Sequence, residues 1–574
     1  MEKDKMTLII EKNVMVPMRD GVRLAANIYR LEGAGPQPVL LSRTPYDKET
    51  IGNGDGTLDI QRAVQAGYVV MTQDTRGRFS SEGDCTPFVQ EHADGYDTIA
   101  WAANQPWSSG SVGMFGGSYV GNAQWMAACE QPPALGTIAP LVGFASLYTG
   151  FRVGGIPQLV GLVWSAAMGI EELRRQVESG RRAAPEGPLF DGSALEKHMP
   201  LDDFPFMRGL SDYYFDWQDF PPGDPFWENF WPENGYEKAA VPSLNIGGWY
   251  DCFIKHTIEN FVSMRRYGSP EIRNSQRLVV GPWSHGGFSG LFAEHDFGPA
   301  ASVQAADLHG LLIRWYDRWL KGRRNGIENE KPVKIFIMGT NQWREEDDWP
   351  LPDAVEHSYF LHSAGAANSL EGDGELSPTP PAAELPDIYL YNPLRPAPTR
   401  GGQVLLGGPN DMGPKDQRPV ERREDVLVYT TPPLEQALEV TGPVRLRLFA
   451  SSSALDTDFT GNLVDVFPDG RAIILTGGAL RARYRNSITK PELLEPGKVY
   501  ELELDLWATA NVFLPGHRIR LDISSSSFPR LARNTNTGGD PNRERAEQCL
   551  PAVNRVYHDS DHPSALIVQV IRRG

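Results

Sequence analysis

The chain has 574 residues, 40% of them apolar and 10% aromatic, with 73 acidic against 55 basic residues and a formal net charge of −18. That composition excludes a disordered or fibrous chain, and at roughly 150 residues per domain the length calls for several domains. The acidic balance argues against a nucleic-acid partner, because a polyanion is repelled at long range.

From the N-terminus, Val14 to Tyr29 alternates apolar and polar residues around Asp20-Gly21, which predicts a β-hairpin closed by a type I′ turn. Val39-Leu40-Leu41 predicts a short buried strand leading into Arg43-Thr44-Pro45-Tyr46. Gly67 to Met71 predicts another, ending at Asp74-Thr75-Arg76-Gly77, where Asp74 and Arg76 are expected to form a structural ion pair. Between them, Asn53-Gly54-Asp55-Gly56 resembles part of a cation loop, but the other ligands of a calcium loop are missing and no metal is expected. Helical spacing over Asp94 to Ala103 precedes a strand at Val112 to Phe115, a helix at Tyr119 to Cys129 and a strand at Thr137 to Ala139. Strands separated by helical segments predict a mostly parallel sheet covered on both faces.

After about Ser146 the pattern changes. Leu159 to Arg175 is helical in spacing, and Gln176 to Glu237 carries little strand signal, with an aromatic, proline-rich run from Asp212 through Trp217 to Phe230-Trp231-Pro232. An inserted cap has this character, because the strand–helix pattern then resumes: Pro242 to Ile246, Leu278 to Val280, an amphipathic helix at Ser302 to Leu320, and a last strand at Val333 to Met338. Beyond Pro350 and a loop at Ser363 to Pro386 come short alternating strands: Asp387 to Tyr391, Asp425 to Tyr429, Val444 to Phe449, Leu502 to Leu506, Ile519 to Ile523 and Leu566 to Val570. Strands without helices predict a β-sandwich or jelly roll. The expected organisation is an α/β domain in two parts, 1–147 and 240–349, a helical cap at 148–239 and a β domain at 350–574.

Four cysteines, Cys85, Cys129, Cys252 and Cys549, form no C-x-x-C pair and supply neither a disulfide framework nor a structural zinc site. The start of the chain lacks the apolar stretch of a signal peptide, and no apolar run of about 18 residues occurs, so a cytoplasmic protein without a membrane partner is expected.

The stretch with chemical character is Gly116-Gly117-Ser118-Tyr119-Val120-Gly121, between a buried strand and a helix. A serine on such a turn is lifted clear of the backbone at a helix N-terminus, where amides can receive a developing negative charge: a nucleophile elbow. Gly116 and Gly121 let strand and helix approach closely. The usual pattern is G-x-S-x-G; here Val120 holds the second glycine's place, and a tight turn with a solvated serine fits the same residues. A serine nucleophile needs a base and the base an orienting acid, in the order Ser…Asp…His, each just past a strand. Asp251 closes Leu244 to Tyr250 and His285 closes Leu278 to Ser284. His295 and His309 also follow Asp251, but His309 lies in a predicted helix and His295 directly follows no strand.

Five segments, Arg43 to Lys48, Gln73 to Arg78, Gly116 to Gly121, Gly248 to Asp251 and Gly281 to His285, resemble those of the cocaine-esterase and Xaa-Pro dipeptidyl-peptidase family of serine hydrolases, which also holds α-amino-acid ester hydrolases. Asp456 to Phe459 and Asn511 to Arg518 extend the resemblance to the C-terminal region. The family's elbow reads G-x-S-Y-x-G, which accounts for the displaced glycine. The resemblance implies an α/β-hydrolase domain with an inserted helical cap and a C-terminal jelly roll. It makes Ser118 the nucleophile, His285 the base and Asp251 its partner, with the Tyr46 hydroxyl and the Tyr119 amide as oxyanion hole. It places Phe151, Trp164, Phe253, Leu405 and Leu406 at the acyl pocket, Phe151 standing where the family has a tryptophan. It also implies a homodimer and no cofactor.

The residues after Asp251 are uncharged, Cys252-Phe253-Ile254, whereas the amino-acid ester hydrolases place carboxylates there. An apolar pocket disfavours a cationic substrate N-terminus, whose charge would be desolvated without a partner. The expected activity is therefore that of a carboxylesterase for apolar or aromatic acyl groups acting on a small-molecule ester. The alternatives are an amidase or aminopeptidase of the same family (Xaa-Pro dipeptidyl peptidase or β-lactam acylase) and a non-catalytic carbohydrate-binding protein, the last opposed by the intact Ser118, Asp251 and His285.

Overall fold

A computed structural model describes residues 7–51, 58–186, 194, 197–231, 235–405 and 411–573. Its first sheet is built from β1 (Leu8–Pro17), β2 (Arg23–Leu31), β3 (Gln37–Thr44), β4 (Val69–Asp74), β5 (Ser108–Gly117) and β6 (Leu135–Leu141). After a two-stranded ribbon, β7 (Arg152–Val153) with β8 (Ile156–Pro157), it resumes with β9 (Leu244–Tyr250), β10 (Arg277–Ser284), β11 (Val333–Ile337) and β12 (Gln342–Glu346). The order across the sheet is β1-β2-β4-β3-β5-β6-β9-β10-β11-β12. From β4 to β11 every pairing is parallel, and both ends are antiparallel.

The helices α1 (Ile60–Gln65), α2 (Glu91–Ala103) and α3 (Tyr119–Cys129), with Ile254–Tyr267 and Leu308–Leu320, accompany the parallel strands. Every residue of β4 and β9 is buried, so neither strand shows an exposed face, and the polar side chains at the end of β4 (Thr72, Gln73 and Asp74) are buried with the apolar ones. Parallel strands bring their C-terminal ends to one edge, the usual place for a site in an open α/β sheet. Ser118, Asp251 and His285 directly follow β5, β9 and β10, and Tyr46 lies two residues beyond β3.

Several expectations are corrected. Around Asp20-Gly21 the Met18 carbonyl accepts from the Gly21 amide (2.9 Å), the Met18 amide donates to the Val22 carbonyl (2.8 Å), and Gly21 has φ 89° while Asp20 does not have positive φ. That is a type I turn closed by a left-handed glycine, since type I′ needs two positive-φ residues. Asp74 and Arg76 do not pair with each other. The chain turns away at Thr75–Gly77, so Asp74 binds the Lys48 ammonium (2.8 Å) while Arg76 reaches Asp94 (2.6 Å) and Asp20 (2.7 Å). The helix expected from Ser302 starts only at Leu308, where Asp307 caps it by accepting from the Gly310 amide (3.1 Å). Val333–Ile337 is followed by one more strand, β12, whose polar sequence QWREE suits an edge.

Between β6 and β9 lie α4 (Leu147–Gly150), the β7–β8 ribbon, α5 (Leu159–Glu178) and the short helix Tyr213–Asp219. Their aromatic side chains share one hydrophobic cluster with Phe144, Trp249 and Phe253 of the α/β domain, so the cap is packed onto the sheet edge.

The second sheet has eleven strands between Val355 and Ile571, all but one of its pairings antiparallel, forming the C-terminal jelly roll. Its long strands Leu438–Ser452 and Tyr500–Phe513 pair over most of their length. It is tied to the rest by the Met338 amide to Ala510 and the Val512 amide to Met338 (both 2.9 Å), and by the Leu159 amide at the start of α5 to Arg530 (3.1 Å). No described helix is long and apolar enough to cross a membrane.

Candidate active site

Ser118 has φ 59° and ψ −129°, between the last residue of β5 and the first of α3. A non-glycine residue in that region costs about 1–3 kcal/mol and must be held by its surroundings. Its amide donates to the Leu141 carbonyl (2.9 Å), and its carbonyl accepts from the amides of Gly121 (2.8 Å) and Asn122 (3.1 Å). A Cβ on Gly116, itself at φ 127°, would lie 2.2 Å from Val120 Cγ1, and one on Gly121 3.1 Å from the Leu141 carbonyl oxygen. Gly116 is thus sterically required, and Gly121 leaves a side chain little room. All eleven residues of α3 are buried, which explains its Ala- and Met-rich sequence.

His285 Nε2 lies 2.9 Å from Ser118 Oγ, and His285 Nδ1 lies 2.7 Å from Asp251 Oδ1. Asp251 is fully buried and the His285 side chain is 9% exposed. A buried carboxylate accepting from Nδ1 fixes the tautomer in which Nε2 can accept the serine proton. Phe253 stands edge-on to the imidazole at 5.2 Å. Cys252 brings its Sγ to 3.7 Å from Nδ1, the ring nitrogen that does not contact Ser118, and burial, with the Asp251 charge, pushes its thiol well above the ordinary range. Asp251 Oδ2 is buried with no hydrogen-bond partner among the described residues. The two alternative histidines, His309 and His295, are engaged elsewhere: His309 accepts from the Asp59 amide (3.3 Å) and His295 meets Phe297 edge-on (4.5 Å).

Tyr46 has 37% of its surface open to solvent, but its hydroxyl end is crowded by protein. Burial pushes the phenol up, against the pull of its hydrogen bonds to Trp164 and Ser118, so it is a neutral donor at pH 7. Trp164 Nε1 lies 2.8 Å from the Tyr46 oxygen. An indole N–H only donates, so the phenol accepts there and keeps its own proton for another acceptor. Tyr119 opens α3, where a backbone N–H has no acceptor within the helix. Its side chain points the other way: the hydroxyl donates to Glu91 (2.9 Å) and accepts from the Phe88 amide (2.9 Å). Glu91 in turn pairs with buried Arg43, and burial pushes the Glu91 carboxyl up.

Sequence reasoning missed Glu91, which precedes the helix expected at Asp94 to Ala103 but opens the observed one, and no local pattern ties it to Arg43. It also missed Arg78, whose guanidinium donates to the carbonyls of Pro45 (3.0 Å) and Met168 (2.9 Å), tying the Tyr46 loop to α5.

Trp164 stacks between Tyr119 (6.1 Å) and Trp217 (6.2 Å), and Phe151 stacks on Trp217 (5.7 Å) and meets Phe253 edge-on (6.3 Å). Phe151, Trp164 and Phe253 therefore form one aromatic wall that ends at His285, with Trp217 as a member the sequence placed only in the cap. Leu405 is half-buried and packs against the same cluster. Leu406 lies outside the described residues, as do Asn53 to Gly56.

A parallel α/β sheet with a cap, carrying a serine on a strained strand–helix turn and a histidine and a buried aspartate on neighbouring strand ends, defines the class: a serine hydrolase of the α/β-hydrolase fold. The family model for the X-Pro dipeptidyl-peptidase (S15 family) matches residues 20–287, and that for the X-Pro dipeptidyl-peptidase C-terminal non-catalytic domain matches 325–567. The cocaine esterase of Rhodococcus sp. (strain MB1 Bresler) is 42% identical over 98% of this chain and 99% of its own. A solved α-amino acid ester hydrolase superposes with a TM-score of 0.83 at 25% identity, covering 99% of this chain and 98% of its own. An aminopeptidase from the marine sediment archaeon Thaumarchaeota archaeon superposes with a TM-score of 0.80 at 25% identity, covering 100% and 98%. The chain belongs to the X-Pro dipeptidyl-peptidase (S15) family, together with cocaine esterase.

Proposed function

We propose that Ser118, His285 and Asp251 act as a catalytic triad in the hydrolysis of carboxylic esters with apolar or aromatic acyl groups. Family membership makes the protein a serine hydrolase acting on esters; the residue roles and the acyl preference are our reading. One observation carries it: the hydrogen-bond chain from Ser118 Oγ through both imidazole nitrogens to Asp251.

Ser118 Oγ attacks the ester carbonyl carbon as His285 Nε2 takes its proton, and Asp251 stabilises the resulting imidazolium. The oxyanion accepts from the Tyr46 hydroxyl and the Tyr119 amide. His285 returns the proton to the departing alcohol, and water repeats the sequence on the acyl-enzyme. The acyl group rests on Phe151, Trp164 and Phe253, with Leu405 at the β-domain side. Cys252, Phe253 and Ile254, which follow Asp251, are uncharged and buried, which leaves a substrate ammonium group without a partner there. The corresponding division of the chain is 1–147 with 240–349, 148–239 and 350–574, in keeping with a first sheet that ends at Glu346 and a second that begins at Val355.

Parallel assays with an aryl ester and an Xaa-Pro anilide test the reading. Ester turnover should exceed anilide turnover and vanish in Ser118→Ala. Faster anilide cleavage would assign a peptidase instead, and full ester turnover by Ser118→Ala would remove the triad.

A further inference from the structure

We propose that Asp251, Cys252 and His285 form a binding site for a soft divalent cation, Zn²⁺ or Cd²⁺, through which the ion reversibly switches the hydrolase off. The kinetic consequence rests on His285 being the general base; the site itself rests on geometry. Among the described residues this is the one group of three His, Cys, Asp or Glu side chains whose ligand atoms all lie within 4.8 Å of one another.

A tetrahedral zinc bound to imidazole nitrogen at about 2.0–2.1 Å and to thiolate at about 2.3 Å holds those two ligand atoms about 3.6 Å apart. His285 Nδ1 and Cys252 Sγ are 3.7 Å apart. Nδ1 and Asp251 Oδ1, at 2.7 Å, are closer than the separation of about 3.4 Å that the same geometry asks of a nitrogen and a carboxylate oxygen. The carboxylate therefore has to withdraw slightly or turn its other oxygen to the ion. That oxygen, Oδ2, is buried without a hydrogen-bond partner among the described residues, so coordination would satisfy it. Three protein ligands leave a fourth position for water, and a thiolate beside an imidazole selects soft or borderline ions over Mg²⁺ and Ca²⁺.

The proton balance explains the inhibition. Formation of the sulfur–metal bond releases the Cys252 thiol proton to solvent. The imidazole stays neutral: Nδ1 gives up its proton to bind the ion and Nε2 takes one from water, so one proton is released per ion bound. Nε2–H then faces Ser118 and cannot accept its proton. Because the ion sits on the Asp251 side of the ring, away from Ser118, the substrate still binds. Inhibition should therefore lower kcat and leave KM unchanged.

The test compares the wild type with Cys252→Ala and Cys252→Ser under Zn²⁺ and Cd²⁺, each measured against its own metal-free rate. Wild-type kcat should fall at constant KM and return with EDTA, and Cys252→Ala should need about tenfold more ion or greater for the same loss. Equal sensitivity of wild type and Cys252→Ala, or inhibition that raises KM alone, would overturn the site. In parallel, Cd²⁺ is titrated into Ser118→Ala and read by the ultraviolet cadmium–thiolate charge-transfer band, which needs no turnover. One equivalent should produce the band, and Ser118→Ala/Cys252→Ala should lack it; no band in the single variant, or the same band in both, would overturn the site even if the esterase reading stands. A wild type without ester turnover, by contrast, would count against the proposed function and leave the titration to judge the site.

Discussion

Replacing Tyr46 by phenylalanine removes one oxygen and keeps the ring, which stands edge-on to Tyr119 at 6.3 Å. If that hydroxyl is one of two oxyanion donors, its loss costs about 2.7–4 kcal/mol of transition-state stabilisation, or about 10²–10³ in kcat. KM should stay within about twofold, because the interaction is made with the alkoxide and not with the ground-state carbonyl. Trp164→Phe gives the graded companion. It keeps the stacking partners Tyr119 and Trp217 but removes the N–H that reaches Tyr46 at 2.8 Å. One positioning hydrogen bond at about 0.5–1.5 kcal/mol corresponds to a roughly 2- to 13-fold loss. With the hydroxyl gone the indole has nothing left to orient, so the double variant should lose little more than Tyr46→Phe alone. Steady-state hydrolysis of an aryl ester by the three variants is the assay. A Tyr46→Phe enzyme within about fivefold of wild-type kcat would refute the argument.

At the elbow, Gly116→Ala puts a Cβ 2.2 Å from Val120 Cγ1 in a backbone of φ 127°, so it should lower activity by more than about tenfold, with partial recovery when Val120→Ala removes the clash but not the strain. In the acyl wall, Phe151→Ala separates two roles: a change in the relative rates of short and bulky acyl esters marks substrate contact, whereas an equal loss for all, with about 3–5 kcal/mol lower stability, marks packing only. In the β domain, buried His558 lies between Asp387 (2.9 Å) and Glu384 (3.0 Å). Burial opposes its charge, but the two carboxylates outweigh that and hold it above the ordinary imidazole value, while Asp387 and Glu384 are held below theirs. The stabilisation from a raised histidine is complete below about pH 6.5 and is lost as pH rises through the folded-state value; that from lowered carboxylates is complete above about pH 4 and is lost on acidification. The Tm gap between wild type and His558→Gln should therefore be widest between those limits and narrow above neutrality, and a gap that grows with alkaline pH would contradict the assignment.

What the sequence made legible follows from where the signals are local. Asp251 and His285 each end a short apolar run, and in a parallel sheet that position alone delivers a side chain to the catalytic edge. The Tyr119–Cys129 helix was readable because a small, apolar sequence is all that a wholly buried helix admits. The Trp164–Tyr46 hydrogen bond joins residues 118 apart and depends on how α5 is rotated over the sheet, which no local pattern carries. Glu91 and Arg43 meet only because α2 crosses above β3. In the jelly roll, Asp458–Val466 and Ala472–Arg481 are almost entirely buried, so neither shows the alternation by which Asp387–Tyr391 was recognised.

The central claim is that Ser118 becomes covalently acylated. The direct measurement mixes the enzyme with an aryl ester of a bulky, slowly released acid, quenches in acid, and locates the added acyl mass by peptide mass spectrometry. The account predicts one acyl group per chain, on Ser118, and none in Ser118→Ala; an acyl group stably carried by another residue, or wild-type turnover without Ser118, would contradict it.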